Sequence, residues 1–196
     1  MRSKKGLALA MAVVLGVGAF GMTSTPEVDA SSGSMKKVVK YYKQGKMKKA
    51  RKEAKKLPKT ISHIIPLNDE NCEIYLEAIE SVSDVQEMYL CDYDEDTTAE
   101  LFIKHGDCEA DMVLDCYDVD CDDEDKLIWS VNASHCTVHD YYGTPGMILM
   151  SGIQGYEEMR VINVKGKEKK YTRDVGSGSY FNPRCKMKKV KKSYFK

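Results

Sequence analysis

From Met35 to about residue 82 the apolar positions recur every three or four residues; beyond it they come in short runs parted by turn residues. The first pattern belongs to one-sided helices, the second to strands. Met35 to Leu57 reads as two short helices around Gly45. In the second, Met47, Ala50, Ala54 and Leu57 share a side, Lys or Arg fills most other positions, and Pro58 ends it. A third helix is expected from Asn68 to Val82, with Cys72, Tyr75, Leu76 and Ile79 on one side. Asn68, Asp69 and Glu70 suit its N-terminus. Candidate strands follow at 87–91, 100–105, 110–118, 126–132, 134–139, 146–151, 157–164 and 167–173. Connections this short favour an antiparallel meander over parallel crossovers. The expected fold is α+β, an N-terminal helical hairpin plus a mainly antiparallel β-sheet meander.

Four segments are expected. Residues 1–30 read as a signal peptide: Arg2, Lys4 and Lys5 precede an apolar stretch from Gly6 to Met22, and Val28-Asp29-Ala30 offers small residues at a cleavage site. The apolar run has 17 residues, short of the roughly 20 a spanning helix needs; an uncleaved anchor is the alternative. Residues 31–60 form the basic hairpin, 61–185 the α+β domain, and 186–196 a basic tail that is either frayed or a final helix. The expected location is secreted or cell-envelope associated after cleavage near Ala30.

Charge changes this picture, because a formal net charge of zero hides segregation. Residues 31–61 carry twelve Lys or Arg against Glu53, residues 67–125 twenty-two acids against Lys104, and residues 159–196 thirteen bases against Glu168 and Asp174. Either the ends and the middle neutralise each other, or a basic end contacts anionic envelope polymers or a membrane surface. The basic runs lack aromatic interleaving, which disfavours nucleic acid, and no small-molecule substrate suggests itself. The seven cysteines all lie after the leader and include no CxxC pair, so a structural zinc site has little support. Export permits disulfides, with an odd number leaving at least one thiol free or intermolecular; the alternative is that several are small buried hydrophobes.

The chemistry concentrates in one loop. Asp92, Asp94, Asp96, Thr98 and Glu100 fall within nine residues, directly before Leu101-Phe102-Ile103. Alternate spacing lets side chains 1, 3 and 5 converge with a backbone carbonyl at 7 and an acid at 9. This delivers oxygen to Ca²⁺, which takes six to eight such ligands at about 2.3–2.6 Å. The expected metal ligands are therefore these five residues, Thr98 through its carbonyl, holding one ion. Thr97 stands at the sixth position, where the turn often needs a left-handed residue and glycine is usual. An EF-hand is excluded, since Ile103 occupies the twelfth position where a bidentate Glu belongs. A second acidic run, Asp118 to Asp125, repeats the alternate spacing at Asp118, Asp120 and Asp122 and reads as a solvated hairpin loop.

The loop resembles the D-x-[DN]-x-[DN]-G-x-x-[DE] calcium loops of FG-GAP-type extracellular proteins, here in single copy. Tyr89 to Asp94, Glu100 to Lys104 and Gly106-Asp107-Cys108-Glu109-Ala110-Asp111 extend the likeness. Together they resemble uncharacterised secreted proteins of Gram-positive anaerobes, in which such a loop ending in E-L is followed by G-x-C-E-A-D, a G-H-[ST] element and an H-x-G-x-E element. Ser134-His135-Cys136 stands for the third element. Ile153-Gln154-Gly155-Tyr156-Glu157 stands for the fourth, with Ile153 replacing its histidine. The likeness spans about residues 88–164, and the group carries no established activity.

Catalytic patterns are sparse. His135 and His139 on one strand lie roughly 13 Å apart, too far for one ion. His135 and Cys136, being adjacent, point to opposite faces and make no dyad. Trp129 is expected in the core. The reading is a secreted, non-enzymatic extracellular or envelope-associated domain with one structural calcium site. Its alternatives are a hydrolase-type enzyme near His135, with Asp111 or Glu157, and a metal-free module binding anionic polymers through its basic ends.

Overall fold

Gly45, with φ +66°, turns the chain between helices α1 (Met35–Lys43) and α2 (Met47–Ala54). Helix α3 (Asp69–Ser81) starts where expected, its Asn68 side chain accepting from the Asn71 N–H at 2.7 Å. The computed structural model describes residues 34–61 and 67–196; the expected signal peptide lies outside them. All eight expected strands form, β3 with the expected bounds and the others with shifted ends: β2 (Val85–Cys91), β3 (Glu100–His105), β4 (Val113–Tyr117), β5 (Leu127–Asn132), β6 (Cys136–Asp140), β7 (Met147–Ile153), β8 (Tyr156–Ile162) and β9 (Glu168–Asp174). Two short strands carry no readable period: β1 (Thr60–Ile61) and β10 (Lys186–Met187). They pair in parallel, and the rest of the pairing is antiparallel. The class is α+β.

The meander is split in two. Strands β2-β3-β4-β5 make one sheet, and β1-β10-β6-β7-β8-β9 the other. The chain changes sheets at Ala133-Ser134-His135, where His135 has φ +53° and its N–H donates to the Glu109 carbonyl at 2.9 Å. Two buried cations tie this crossing. Lys104 Nζ donates to the Cys136 carbonyl at 3.0 Å, and Arg160 donates to the Asn132 carbonyl and, through Nη2, to Cys136 Sγ at 2.8 Å.

Three apolar clusters stack the layers. Tyr89, Phe102, Leu114 and Trp129 of the four-stranded sheet meet Val138, Met147, Leu149 and Ile162 of the six-stranded one. Helices α1 and α2 cover the outer face of the larger sheet with Val38, Tyr42 and Ala50 against Ile148, Met150 and Met159. Helix α3 covers the outer face of the smaller, with Tyr75 and Ile79 against Leu90, Leu101 and Ile103. Strand β3 shows the alternation that this sandwich requires: Leu101 and Ile103 face α3 while Phe102 faces the other sheet. Edge strand β9 carries Lys169, Lys170 and Arg173, charges that discourage pairing with another chain. The segment from Lys186 supplies β10 and a short 3-10 helix (Lys192–Phe195) whose Phe195 is buried beside Tyr75.

The seven cysteines are free thiols. Cys91, Cys116, Cys136 and Cys185 are buried, Cys72 and Cys121 half-buried, and Cys108 is exposed. Burial pushes the Cys185 thiol up to about 12, so the buried set behaves as small apolar side chains.

Candidate metal centre

The β2–β3 connection is the acidic loop. Ligand oxygens of Asp92, Asp94, Asp96 and Glu100 all lie within 4.8 Å of one another, a cluster that can hold a metal ion. The strands fix its two ends, since Cys91 pairs with Glu100 across the β2–β3 ladder. Inside the loop, carboxylates cap backbone donors. Asp92 Oδ1 accepts from Asp96 N at 3.0 Å, Asp92 Oδ2 from Thr97 N at 3.1 Å, and Asp94 Oδ1 from Asp96 N at 3.2 Å. These turns leave Glu95 at φ +70° and Thr97 at φ +84°. The sixth position does take the left-handed conformation, and a β-branched residue bears it.

Tyr93 ties the loop to the core. Its ring stands edge-on to Phe102 at 5.3 Å and to Trp129 at 6.0 Å, and its hydroxyl accepts from Trp129 Nε1 at 2.8 Å. Trp129 is thus a core residue. The Tyr93 N–H donates to Glu100 Oε2 at 2.6 Å, while the Tyr93 carbonyl accepts from Gly146 N at 2.9 Å.

Glu100 is the unusual member. It is 0 % exposed, and its Oε1 has no hydrogen-bond partner. Burial pushes its carboxyl up to about 9; the Tyr93 N–H works against this, and the charges of Asp94 and Asp118 add to it. Burial, then the charge of Asp96, raises Asp94 as well. A buried, half-satisfied carboxylate among three others costs stability unless a proton or a cation answers it.

Thr98 shares the loop. Its N–H donates to Asp96 Oδ1 at 2.7 Å and its hydroxyl to Asp120 Oδ2 at 3.0 Å. The second acidic run, read as a solvated hairpin loop, is the β4–β5 connection and stands beside the first, and Asp118 adds to the field that raises Asp94 and Glu100. The strand register contains the reason. Leu101 pairs with Tyr117, and three more residues along that antiparallel ladder set Thr98 opposite Asp120.

The other flagged residues do not converge. His135 is exposed at the sheet crossing, and Asp111 is exposed, with Oδ1 accepting from Cys108 N at 2.8 Å. Glu157 is buried on the sandwich's helix side, held by Arg173 at 2.8 Å and by the Phe181 N–H at 2.7 Å. Neither bonds to His135 among the described residues. His139 donates through Nδ1 to the Arg184 carbonyl at 2.7 Å, and burial lowers its pKa to about 4. One further pair escaped the sequence reading: His105 Nε2 lies 2.8 Å from Asp115 Oδ2, two strands of the smaller sheet bringing them together.

Comparison with protein-family models, with curated proteins and with solved structures found no match to the chain. Fold and site together define a two-sheet α+β sandwich with an acid-lined loop suited to a cation.

Proposed function

We propose that this chain is a secreted, non-enzymatic extracellular or envelope-associated module whose loop holds one structural Ca²⁺. The observation carrying the reading is the buried, unpartnered Oε1 of Glu100 inside a cluster of four carboxylates. Asp92, Asp94, Asp96 and Glu100 would supply side-chain oxygens and Thr98 its carbonyl. The donors are all hard oxygen, which favours Ca²⁺ over Zn²⁺, and a loop of flexible spacing suits Ca²⁺ better than the tight octahedron of Mg²⁺. The likeness to calcium loops of FG-GAP type supports the metal. The leader-like residues 1–30, with Val28-Asp29-Ala30, support export.

The ion's work is structural. It links β2 to β3 at the end where α3 and the β4–β5 turn meet, and it neutralises charge that otherwise opposes folding. Calorimetric titration with Ca²⁺, Mg²⁺ and Zn²⁺ tests this. The expected result is one Ca²⁺ per chain with weaker Mg²⁺; the absence of heat at millimolar Ca²⁺ would defeat the reading. Intact-mass measurement of the exported protein tests the address, with a chain beginning at or near Ser31 expected.

A further inference from the structure

Among the described residues, carboxylates of the acidic middle pair with the C-terminal tail but not with the basic side chains of α1 and α2. Lys189 pairs with Glu87, and Lys192 with Glu80 at 2.9 Å. Near α2, among the described residues, only Lys56 meets a carboxylate, Glu53 at 3.0 Å. Arg51, Lys55, Lys59 and Arg184 have no ion pair among the described residues, and all four line one cavity of about 440 Å³. Its size falls in the ordinary range for small-ligand sites.

The cavity is built by long-range contacts rather than by loose surface lysines. Cys185 N donates to the Pro58 carbonyl at 2.9 Å and Lys186 N to the Lys59 carbonyl at 3.1 Å, so the two basic ends of the sequence are zipped together. Arg184 Nη1 donates to the Lys55 carbonyl at 3.1 Å, and its Nε is buried without a hydrogen-bond partner. Arg51 Nη2 donates to the Ser179 carbonyl at 3.1 Å. Arg184 and Cys185 both adopt left-handed backbone, φ +68° and +52°. The clamps on Arg184 are its own N–H to Asn182 Oδ1 and the His139 ring, each at 2.7 Å.

One wall is an aromatic ring held in place. Tyr180 is 47 % exposed, yet it packs so closely on Gly152 that a Cβ there would lie 2.7 Å from the ring. The Gly155 N–H donates to its hydroxyl at 3.2 Å. A rigid, solvent-facing ring beside four unpaired cations offers a flat apolar surface next to an anion site.

We propose that this cavity binds a phosphorylated sugar, with the phosphate on Arg51, Lys55, Lys59 and Arg184 and the apolar face of the sugar ring on Tyr180. A phosphomonoester carries about −1.5 to −2 charge at neutral pH, which answers four cations better than a single carboxylate does. Guanidinium groups match its oxygens in paired geometry. The site uses none of the metal-loop residues and stands independently of the calcium reading.

Calorimetric titration of the full-length chain at fixed ionic strength is the test, with glucose 1-phosphate, inorganic phosphate, glucose and a phosphate-linked oligosaccharide as probes. Glucose 1-phosphate should bind more tightly than inorganic phosphate, and glucose alone should give no heat. Lys55→Glu with Lys59→Glu, both exposed and held in the clamp through their backbone carbonyls alone, should weaken binding at least about tenfold with melting unchanged. Tyr180→Ala should reduce glucose 1-phosphate to the affinity of inorganic phosphate. Tighter binding of the oligosaccharide assigns a phosphate-linked glycan, tighter binding of the monomer a free sugar phosphate, and either supports the proposal. Absence of binding by both, equal affinity for phosphate and glucose 1-phosphate, or an unchanged affinity in the Lys55/Lys59 variant would overturn it.

Discussion

Thr97 bears a conformation that its side chain resists. At φ +84° a Cβ crowds the backbone, and a β-branched one more so. Thr97→Gly is expected to stabilise the folded chain by about 1 kcal/mol and to lower the Ca²⁺ Kd several-fold, as read by denaturant unfolding and calorimetry. His139 supplies the contrasting case of a buried neutral group. Its pKa is lowered from 6.5 to about 4 by burial, so its contribution is complete above pH 6.5 and is lost as pH falls from 6.5 towards 4. Comparing the chain with His139→Gln across that window isolates the group: the wild type should lose more stability on acidification, and parallel curves would contradict the assignment. The convergence of Asp92, Asp94, Asp96 and Glu100 was readable, because alternate spacing brings side chains of a tight loop to one side. The burial of Glu100 was not, since it depends on which face of β3 meets the second sheet.

Helix α3 acts on the loop through one side chain. Tyr75 is fully buried, and its hydroxyl donates at 2.6 Å to the carbonyl of Ala99, the residue between Thr98 and Glu100. Tyr75→Phe leaves that carbonyl unsatisfied in the interior, which costs about 1–3 kcal/mol. The loss should fall partly on the metal site, raising the Ca²⁺ Kd as well as lowering the melting temperature; a stability loss with unchanged Kd would show that α3 and the loop are uncoupled. Periods of 3.6 and 2 made the three helices and eight strands legible. Two-residue strands such as Thr60–Ile61 and Lys186–Met187 have no period to read, and their pairing depends on a tail expected to be frayed or helical. The division into two sheets turns on the left-handed His135, a residue type that announces no such bend.

At the scale of the molecule, charge segregation resolves unequally. Lys189 and Lys192 of the C-terminal tail pair with Glu87 and Glu80, whereas the two acidic turns are brought to one end of the smaller sheet and reinforce each other's repulsion. The sequence shows both acidic runs but not their meeting, which needs the β3–β4 register. On the proposed reading a cation held there would add to the fold's stability, since a ligand bound only by the folded state stabilises it by mass action. In chelator, Glu100 favours its protonated form, with a pKa raised from 4.5 to about 9. Its stabilising contribution is therefore present below pH 4.5 and is lost as pH rises through about 9. The most direct measurement is thermal unfolding at neutral pH, in chelator and in millimolar Ca²⁺, of the native chain and of Glu100→Gln. The account predicts that Ca²⁺ raises the melting temperature of the native chain. It further predicts that Glu100→Gln melts higher than the native chain in chelator and gains much less from Ca²⁺. Equal melting of the native chain with and without Ca²⁺, together with an unchanged or lower value for Glu100→Gln in chelator, would contradict it.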